Sequence, residues 1–255
     1  MAVLLVVLAI GSSYVSYLPR YSIQRISIVG AQTVPEQLIQ DYVISIIDDG
    51  SHHFFSRANI FVYPSAVIEK DIPLQFPRIA SASVSRSSLF GTTLSVTVEE
   101  RQPFALWCEA GSSSCYQVDD TGFLFAVADP NAASSTTFIF NGGISTTSNP
   151  IGQTFAPGHM PGLAAFLQLL AQSGYSPLGA DVQSDEDFTV PLSQGFYIKA
   201  SFGQDASQLV NNLKLVLSSD PLQGQMLNLE YVDLRFGDRV YYKLNGQSET
   251  QSTTQ

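Results

Sequence analysis

Between Pro77 and Pro103 the chain reads PRIASASVSRSSLFGTTLSVTVEERQP, and this stretch limits what the rest can be. Two alternating runs, Ile79 to Ser87 and Thr92 to Glu100, flank the break Ser88-Leu89-Phe90-Gly91. A period of two sets Ala80, Ala82 and Val84 on one side of a pleat, and Leu94, Val96 and Val98 on one side of the next. Gly91 suits the positive φ of a short hairpin connection, and Pro103 removes a backbone donor and stops the ladder. The stretch therefore predicts a β-hairpin with one buried face. It closes one compact unit near Arg101 and opens another.

Composition narrows the partners. The net charge is −10, which argues against nucleic acid, because phosphate binding needs clustered Lys and Arg. The acid is uneven: residues 1–101 carry 7 basic and 8 acidic side chains, and residues 102–255 carry 5 and 14. The second part is the acidic body, for which solubility is the plain reading.

Ala2 to Leu18 carries no charged side chain. Its strongly apolar part, Ala2 to Ile10, is too short to span a bilayer, and the run to Leu18 reaches the lower limit of about 17 residues. Residues 1–20 are thus expected to be a membrane anchor, with Tyr14 and Tyr17 at the interface and Pro19-Arg20 ending the helix. A cleavable signal peptide, with Ala9-Ile10-Gly11 as its small-x-small site, and a buried core helix compete with it. No basic residue precedes the run, so a cytoplasmic leader is expected to be missing from the chain as given. Arg20 and Arg25 would otherwise pull the body inward. Cys108 and Cys115 bracket a loop-like insert. If Phe104–Trp107 and Tyr116–Val118 pair as a hairpin, both thiols sit at its mouth within disulfide reach. Two inert thiols are the alternative; a disulfide places the body outside the cytoplasm.

In the first part, Ile23 to Val29 alternates and reads as a strand ended by Gly30. Thr33 is placed as an N-cap for a helix from Pro35 or Glu36, with Leu38, Ile39, Tyr42, Val43 and Ile46 at helical spacing. Tyr63 to Phe76 gives a second helix, which Pro73 is expected to shorten. With the hairpin this makes a three-stranded sheet with two helices on one face. In the second part, Trp107–Glu109, Tyr116–Asp119 and Phe123–Val127 form a meander, and Phe138–Asn141 is a further strand. Asn141 to Gly158 is a long exposed connection. Leu163–Leu170 is a helix, and Asp187–Pro191 and Phe196–Phe202 are strands. Asp205 caps a helix through Leu217, and Leu227–Leu234 and Arg239–Leu244 flank a hairpin turn. Residues 247–255 are a polar, disordered tail.

Ile26-Ser27-Ile28-Val29-Gly30, Asn59-Ile60-Phe61, Pro77-Arg78-Ile79 and Glu100-Arg101-Gln102-Pro103 resemble the POTRA domain of the bacterial cell-division family FtsQ/DivIB. Val118 to Phe125 and Asp233-Leu234-Arg235 resemble that family's second domain. Ile79 replaces the usual Val, and Leu89-Phe90-Gly91 stands where the family turns with Trp-Pro or similar. The resemblance implies an α+β chain: a membrane helix at 1–20, a POTRA domain at 21–101 and an antiparallel β-rich domain with two helices at 102–246. It implies a non-catalytic, single-pass scaffold of the inner membrane, its body extracytoplasmic, that recruits proteins governing septal peptidoglycan synthesis. Its partners would be the bitopic division proteins FtsB and FtsL, held at Tyr231, Asp233, Arg235, Val240, Tyr241, Tyr242 and Lys243; other divisome proteins through the POTRA domain; and the membrane through residues 2–18.

The last of these strands also reads as a binding edge by itself. A terminal strand with unpaired backbone groups suits addition of a partner strand, with Val240 and Tyr242 facing one side and Tyr241 and Lys243 the other. An internal strand, or an edge guarded by Arg239 and Lys243, is the plainer reading. The sequence holds no Gly-rich phosphate loop, Gly-x-Ser-x-Gly elbow or His-Glu-x-x-His, and no cofactor or metal is expected. His52-His53 points apart on an extended chain, Asp185-Glu186-Asp187 reads as a solvated loop, and Asp119-Asp120 is turn chemistry. An adaptor of secretion or envelope assembly, and an extracytoplasmic hydrolase using acids of the second part, are the competing functions. A buried carboxylate pair in a cleft would favour the hydrolase.

Overall fold

The computed structural model describes residues 1–48, 50, 53–86, 88, 90–109, 114–129, 138–144, 149–246 and 250–253. It divides into two compact units, Met1–Arg101 and Gln102–Gln255.

Unit 1 begins with helix α1, Ala2–Ser16, followed by strand β1, Arg25–Val29, and helices α2, Glu36–Ile47, and α3, Ser65–Gln75. Strands β2, Ile79–Arg86, and β3, Thr93–Glu100, complete it. The sheet order is β1-β3-β2, with β1 parallel and β2 antiparallel to the central β3. Ile39, Val43 and Ile47 repeat every fourth residue and place one stripe of α2 on the sheet; Ile68 and Ile72 do the same for α3. They meet Ile26, Ile28, Ile79, Leu94, Val96 and Val98 in one core. Burying each such side chain stabilises the unit by about 1.5–3 kcal/mol relative to leaving it in water.

Three local expectations are corrected. Thr33 does not cap α2: Pro35 stands at the cap position, and the Glu100 carboxylate accepts the backbone N–H groups of Gln32, Thr33 and Val34 at 2.8, 2.8 and 2.9 Å. Pro73 does not end α3, which runs two residues past it to Gln75. Ala80 is exposed, since an irregularity in the β2–β3 register between Ile79 and Ser81 shifts the pleat, leaving Ile79, Ala82 and Val84 toward the core. Gly30, at φ +92°, is required where it stands: a Cβ there would lie 2.1 Å from the carbonyl oxygen of Val98.

α1 ends at Ser16, where the Ser12 and Ser16 hydroxyls bond back to carbonyls three residues earlier. Among the described residues no helix is long and apolar enough to cross a membrane, so the spanning helix expected over residues 1–20 is not met. Nor is α1 a separate piece. The Ser13 and Tyr17 hydroxyls donate to the carbonyls of Phe54 and His53, and Asn59 Nδ2 donates to the Ser16 carbonyl at 2.9 Å.

Among the described residues, unit 2 is built on one ten-stranded sheet. It contains β4, Ala105–Cys108; β5, Cys115–Val118; β6, Leu124–Val127; and β7, Phe138–Gly142. Helix α4, Met160–Gln172, leads to β8, Gly179–Val182; β9, Asp187–Pro191; and β10, Tyr197–Ser201. Helix α5, Ala206–Leu217, precedes β11, Leu229–Phe236; β12, Arg239–Leu244; and β13, Thr250–Thr253. The order across the sheet is β13-β12-β11-β10-β9-β8-β7-β4-β5-β6. The unit is not purely antiparallel, as expected, but mixed: β4–β7, β7–β8 and β10–β11 are parallel pairs. Two of them are joined by α4 and α5, because parallel neighbours need a crossover longer than a turn. Both helices share one core with the sheet, built on Phe140, Phe166, Leu170, Ile198, Leu213 and Val232. Asp205 caps α5 by accepting the Gln208 N–H at 2.8 Å.

The stretch from Asn141 to Gly158 is not simply exposed: Phe155 is fully buried and stacks on Phe140, with ring centroids 4.7 Å apart. β8 was not visible in the sequence. Its Gly179 would place a Cβ 1.7 Å from the Ile139 carbonyl oxygen, so only glycine lets β8 lie against β7. Cys108 and Cys115 are paired at the mouth of the β4–β5 hairpin and joined as a disulfide.

Candidate partner-binding edge

The end of unit 2 that carries β12 is built by three hydrogen-bonded neighbours. β11 and β12 form the hairpin expected from Phe236-Gly237-Asp238, with Tyr231 opposite Lys243 and Asp233 opposite Tyr241. β10 runs parallel to β11 and sets Tyr197 beside Tyr231 and Lys199 beside Asp233.

Alternation divides the expected partner-contacting residues. Val240 and Tyr242 point to the helix side and are part of the core, Tyr242 being 5% exposed. Their side chains are therefore not available to a partner, because the pleat that hides one face of β12 buries every second residue. Tyr241 and Lys243 lie on the opposite face and are half-buried. There Tyr197 and Tyr231 pack with ring centroids 5.4 Å apart, and Lys199 Nζ sits 3.6 Å from the Tyr231 ring centroid. Lys243 pairs with Glu230 at 2.8 Å. Burial first, and then the Glu230 charge, raise the Tyr197 hydroxyl above its ordinary value.

Asp233 and Arg235 do something different. The Asp233 carboxylate is buried and accepts Arg235 Nε at 2.9 Å and Nη2 at 2.7 Å, while Arg235 Nη1 reaches Asp187 at 2.7 Å. Ser201 on β10 donates to the other Asp187 oxygen at 2.7 Å. One guanidinium thus ties β11 to the start of β9, and β10 is held through Ser201. Burial would raise the Asp187 carboxyl, but the Ser201 hydroxyl and Arg235 outweigh it and hold the group below the usual carboxylate range. The Asp233 carboxylate, and after it Asp187, outweigh burial and hold Arg235 more firmly protonated than a free arginine. The two carboxylates are brought together, yet both are engaged by one cation, which makes a strut rather than a proton-transferring pair.

The backbone of β12 brings the largest correction. Residues 250–253 of the tail expected to be disordered form β13, which pairs antiparallel with β12 in the register Arg239–Thr253 to Tyr242–Thr250. β12 is therefore an internal strand, covered by the chain's own end. The physical reason is that an edge offers unpaired N–H and C=O groups, and a Thr-, Ser- and Gln-containing segment can satisfy them by ladder bonds alone. Apolarity, the signal read in the sequence, is not needed for that.

The remaining sequence candidates fall elsewhere. Asp119 is buried and accepts from the Thr121 N–H and hydroxyl and the Phe123 N–H, a local turn. His52 lies outside the described residues. His53 lines a cleft of about 480 Å³ in unit 1, with Arg25, Gln40, Asp48 and Arg57. Among the described residues no group of three or more His, Cys, Asp or Glu side chains is placed to hold a metal ion. The reading from sequence missed Tyr197, Lys199 and Asp187 as neighbours of this edge. Their strands were visible, but the order that puts β10 beside β11 was not.

No family model matches this chain, and no curated protein matches it.

Proposed function

We propose that this protein is a non-catalytic scaffold of bacterial cell division, of the FtsQ/DivIB kind. In this reading unit 1 is a POTRA domain and unit 2 is a β domain that docks bitopic partners resembling FtsB and FtsL. The body is extracytoplasmic, attached to the cell membrane through the segment containing α1, and acts at the septum where peptidoglycan is made. The strand–helix–helix–strand–strand order of unit 1 supports it, as does a disulfide in unit 2 suited to an oxidising compartment.

One observation carries the docking reading: β12 accepts a short antiparallel strand through its backbone. An edge that takes a strand from its own chain is competent to take one from a partner, since main-chain bonds supply the contact and neighbouring side chains the selectivity. Arg239, Tyr241 and Lys243, on the face away from the core, are the side chains of β12 that a partner strand would meet.

The test uses the register. Tyr241 stands opposite Gln251, so a Tyr241→Cys/Gln251→Cys variant can lock β13 onto β12. Oxidised, it should fail to capture FtsB- and FtsL-like ectodomains encoded in the same genome, and reduction should restore capture. A chain ending at Gly246 should bind at least as well as the full chain. Undiminished capture by the oxidised, locked protein would overturn docking at β12.

A further inference from the structure

We infer that unit 1 rests directly on a lipid surface through an aromatic collar around the end of α1, formed by Phe54, Phe55, Phe61, Val62 and Phe90; this rests on the membrane attachment proposed above.

α1 poses the physical problem. Its side chains from Ala2 to Gly11 are exposed on every side, and none is charged. A helix that is apolar all round needs an apolar surrounding all round. A protein groove would cover one stripe; hydrocarbon covers the whole circumference. The fifteen residues of α1 extend about 22 Å, most of the depth of the roughly 30 Å hydrocarbon core.

What surrounds the C-terminal end of α1 matches the boundary of such a layer. Phe54 is 57% exposed, Phe61 50% and Phe90 69%, an unusual number of bare phenyl rings for one small region. They are not scattered. Phe55, Phe61, Val62 and Phe90 line one shallow groove of about 350 Å³ with Ser12, Val15, Ser16 and Tyr21. Phe61 packs edge-on against Phe90 with centroids 6.1 Å apart and lies 6.2 Å from Tyr21, while Phe54 and Phe55 pack at 4.9 Å. Tyr14 and Tyr17 of the same helix end are also exposed. Aromatic rings concentrate where hydrocarbon meets headgroups, and cationic side chains just beyond them favour anionic lipid. Arg86 stands over the Phe61 ring at 5.5 Å and Arg20 is exposed three residues beyond Tyr17.

The collar is held in register with the helix. Ser13, Ser16, Tyr17 and Asn59 tie the last turn of α1 to residues 53–56, so insertion of α1 fixes the height at which the phenyl rings meet the lipid. Unit 1 is thereby seated on the surface rather than tethered at a distance.

The experiment places one environment-sensitive fluorophore at a time on Phe54→Cys or Phe90→Cys in the full chain. Each protein is mixed with vesicles of phosphatidylcholine containing a minority of phosphatidylglycerol, with shallow or deep spin-labelled lipid as quencher. Positions 54 and 90 should shift to the blue and be quenched more by the shallow label than by the deep one. Adding Phe55→Ser and Phe61→Ser should weaken quenching at position 90 severalfold with the circular dichroism spectrum unchanged. If the chain sediments with vesicles while probes at 54 and 90 stay in water, the collar is refuted and attachment through α1 stands. Failure of the full chain to sediment with vesicles would overturn both.

Discussion

Replacing Arg235 by Ala tests the strut that joins β11 to β9. The substitution leaves the Asp233 carboxylate, whose side chain is 2% exposed, without its bidentate partner. Removing one member of a buried ion pair costs about 3–5 kcal/mol, mostly because the other charge stays buried. The lower end applies here: Arg235 itself is 30% exposed, so water can approach, and the backbone N–H of residue 235 still donates to Asp233 at 3.1 Å. Asp187 loses the same partner but is a third exposed and keeps the Ser201 hydroxyl, adding less than ~1 kcal/mol. The expected loss is therefore about 3 kcal/mol. It should lower the urea midpoint of the unit 2 transition by roughly 1–1.5 M and its melting temperature by roughly 6–12 °C. The double variant Asp233→Asn/Arg235→Ala should recover part of this, because no buried charge remains. A loss under ~1 kcal/mol in the single variant, or a double variant no better than the single, would refute the account.

Glu100→Gln keeps the acceptor oxygen but not the charge that serves three backbone donors. Burial pushes the Glu100 carboxyl up, yet the hydrogen bonds from Val34, Gln32 and Thr33 outweigh it and leave it lowered. A lowered carboxyl contributes stability above its ordinary titration range that is lost as pH falls through the folded value. The difference between wild type and variant in thermal unfolding of unit 1 should be of order 1 kcal/mol at neutral pH and vanish in strong acid. Tyr242→Ala should cost about 3–4 kcal/mol in denaturant unfolding, and Tyr241→Ala less than ~1 kcal/mol; equal costs would contradict the sidedness of β12. Gly179→Ala forces a Cβ onto the Ile139 carbonyl and should destabilise unit 2 by several kcal/mol, read as loss of soluble, cooperatively unfolding protein.

How far the sequence could be read depended on which force fixes each element. Where one apolar face meets a core, the period shows it: Leu94, Val96 and Val98, the stripe of α2, and the alternation of β12 were all visible. Elements held by the backbone or by single polar contacts left little trace. β8 is four residues long and contains a glycine and an aspartate, and β13 has no apolar residue. Ala80 fits the alternation and fails because a register irregularity intervenes. Asp233 and Arg235 were noticed as a motif, but their partner Asp187 lies 48 residues away along the chain. Only the sheet order reveals that the pair is a strut.

That a strand from the same chain already lies on β12 sets a threshold for anything that would replace it. The tether between β12 and β13 is only the few residues from Asn245 to Glu249, and a short linker holds its occupant at an effective concentration in the millimolar range. A partner strand added to β12 sees only the fraction of molecules in which β13 has let go, and its apparent affinity falls by that fraction. A partner presented on the same membrane, at high local density, can meet such a threshold. The same peptide dilute in bulk solution would not, and under the proposed docking β13 would act as a filter for proximity.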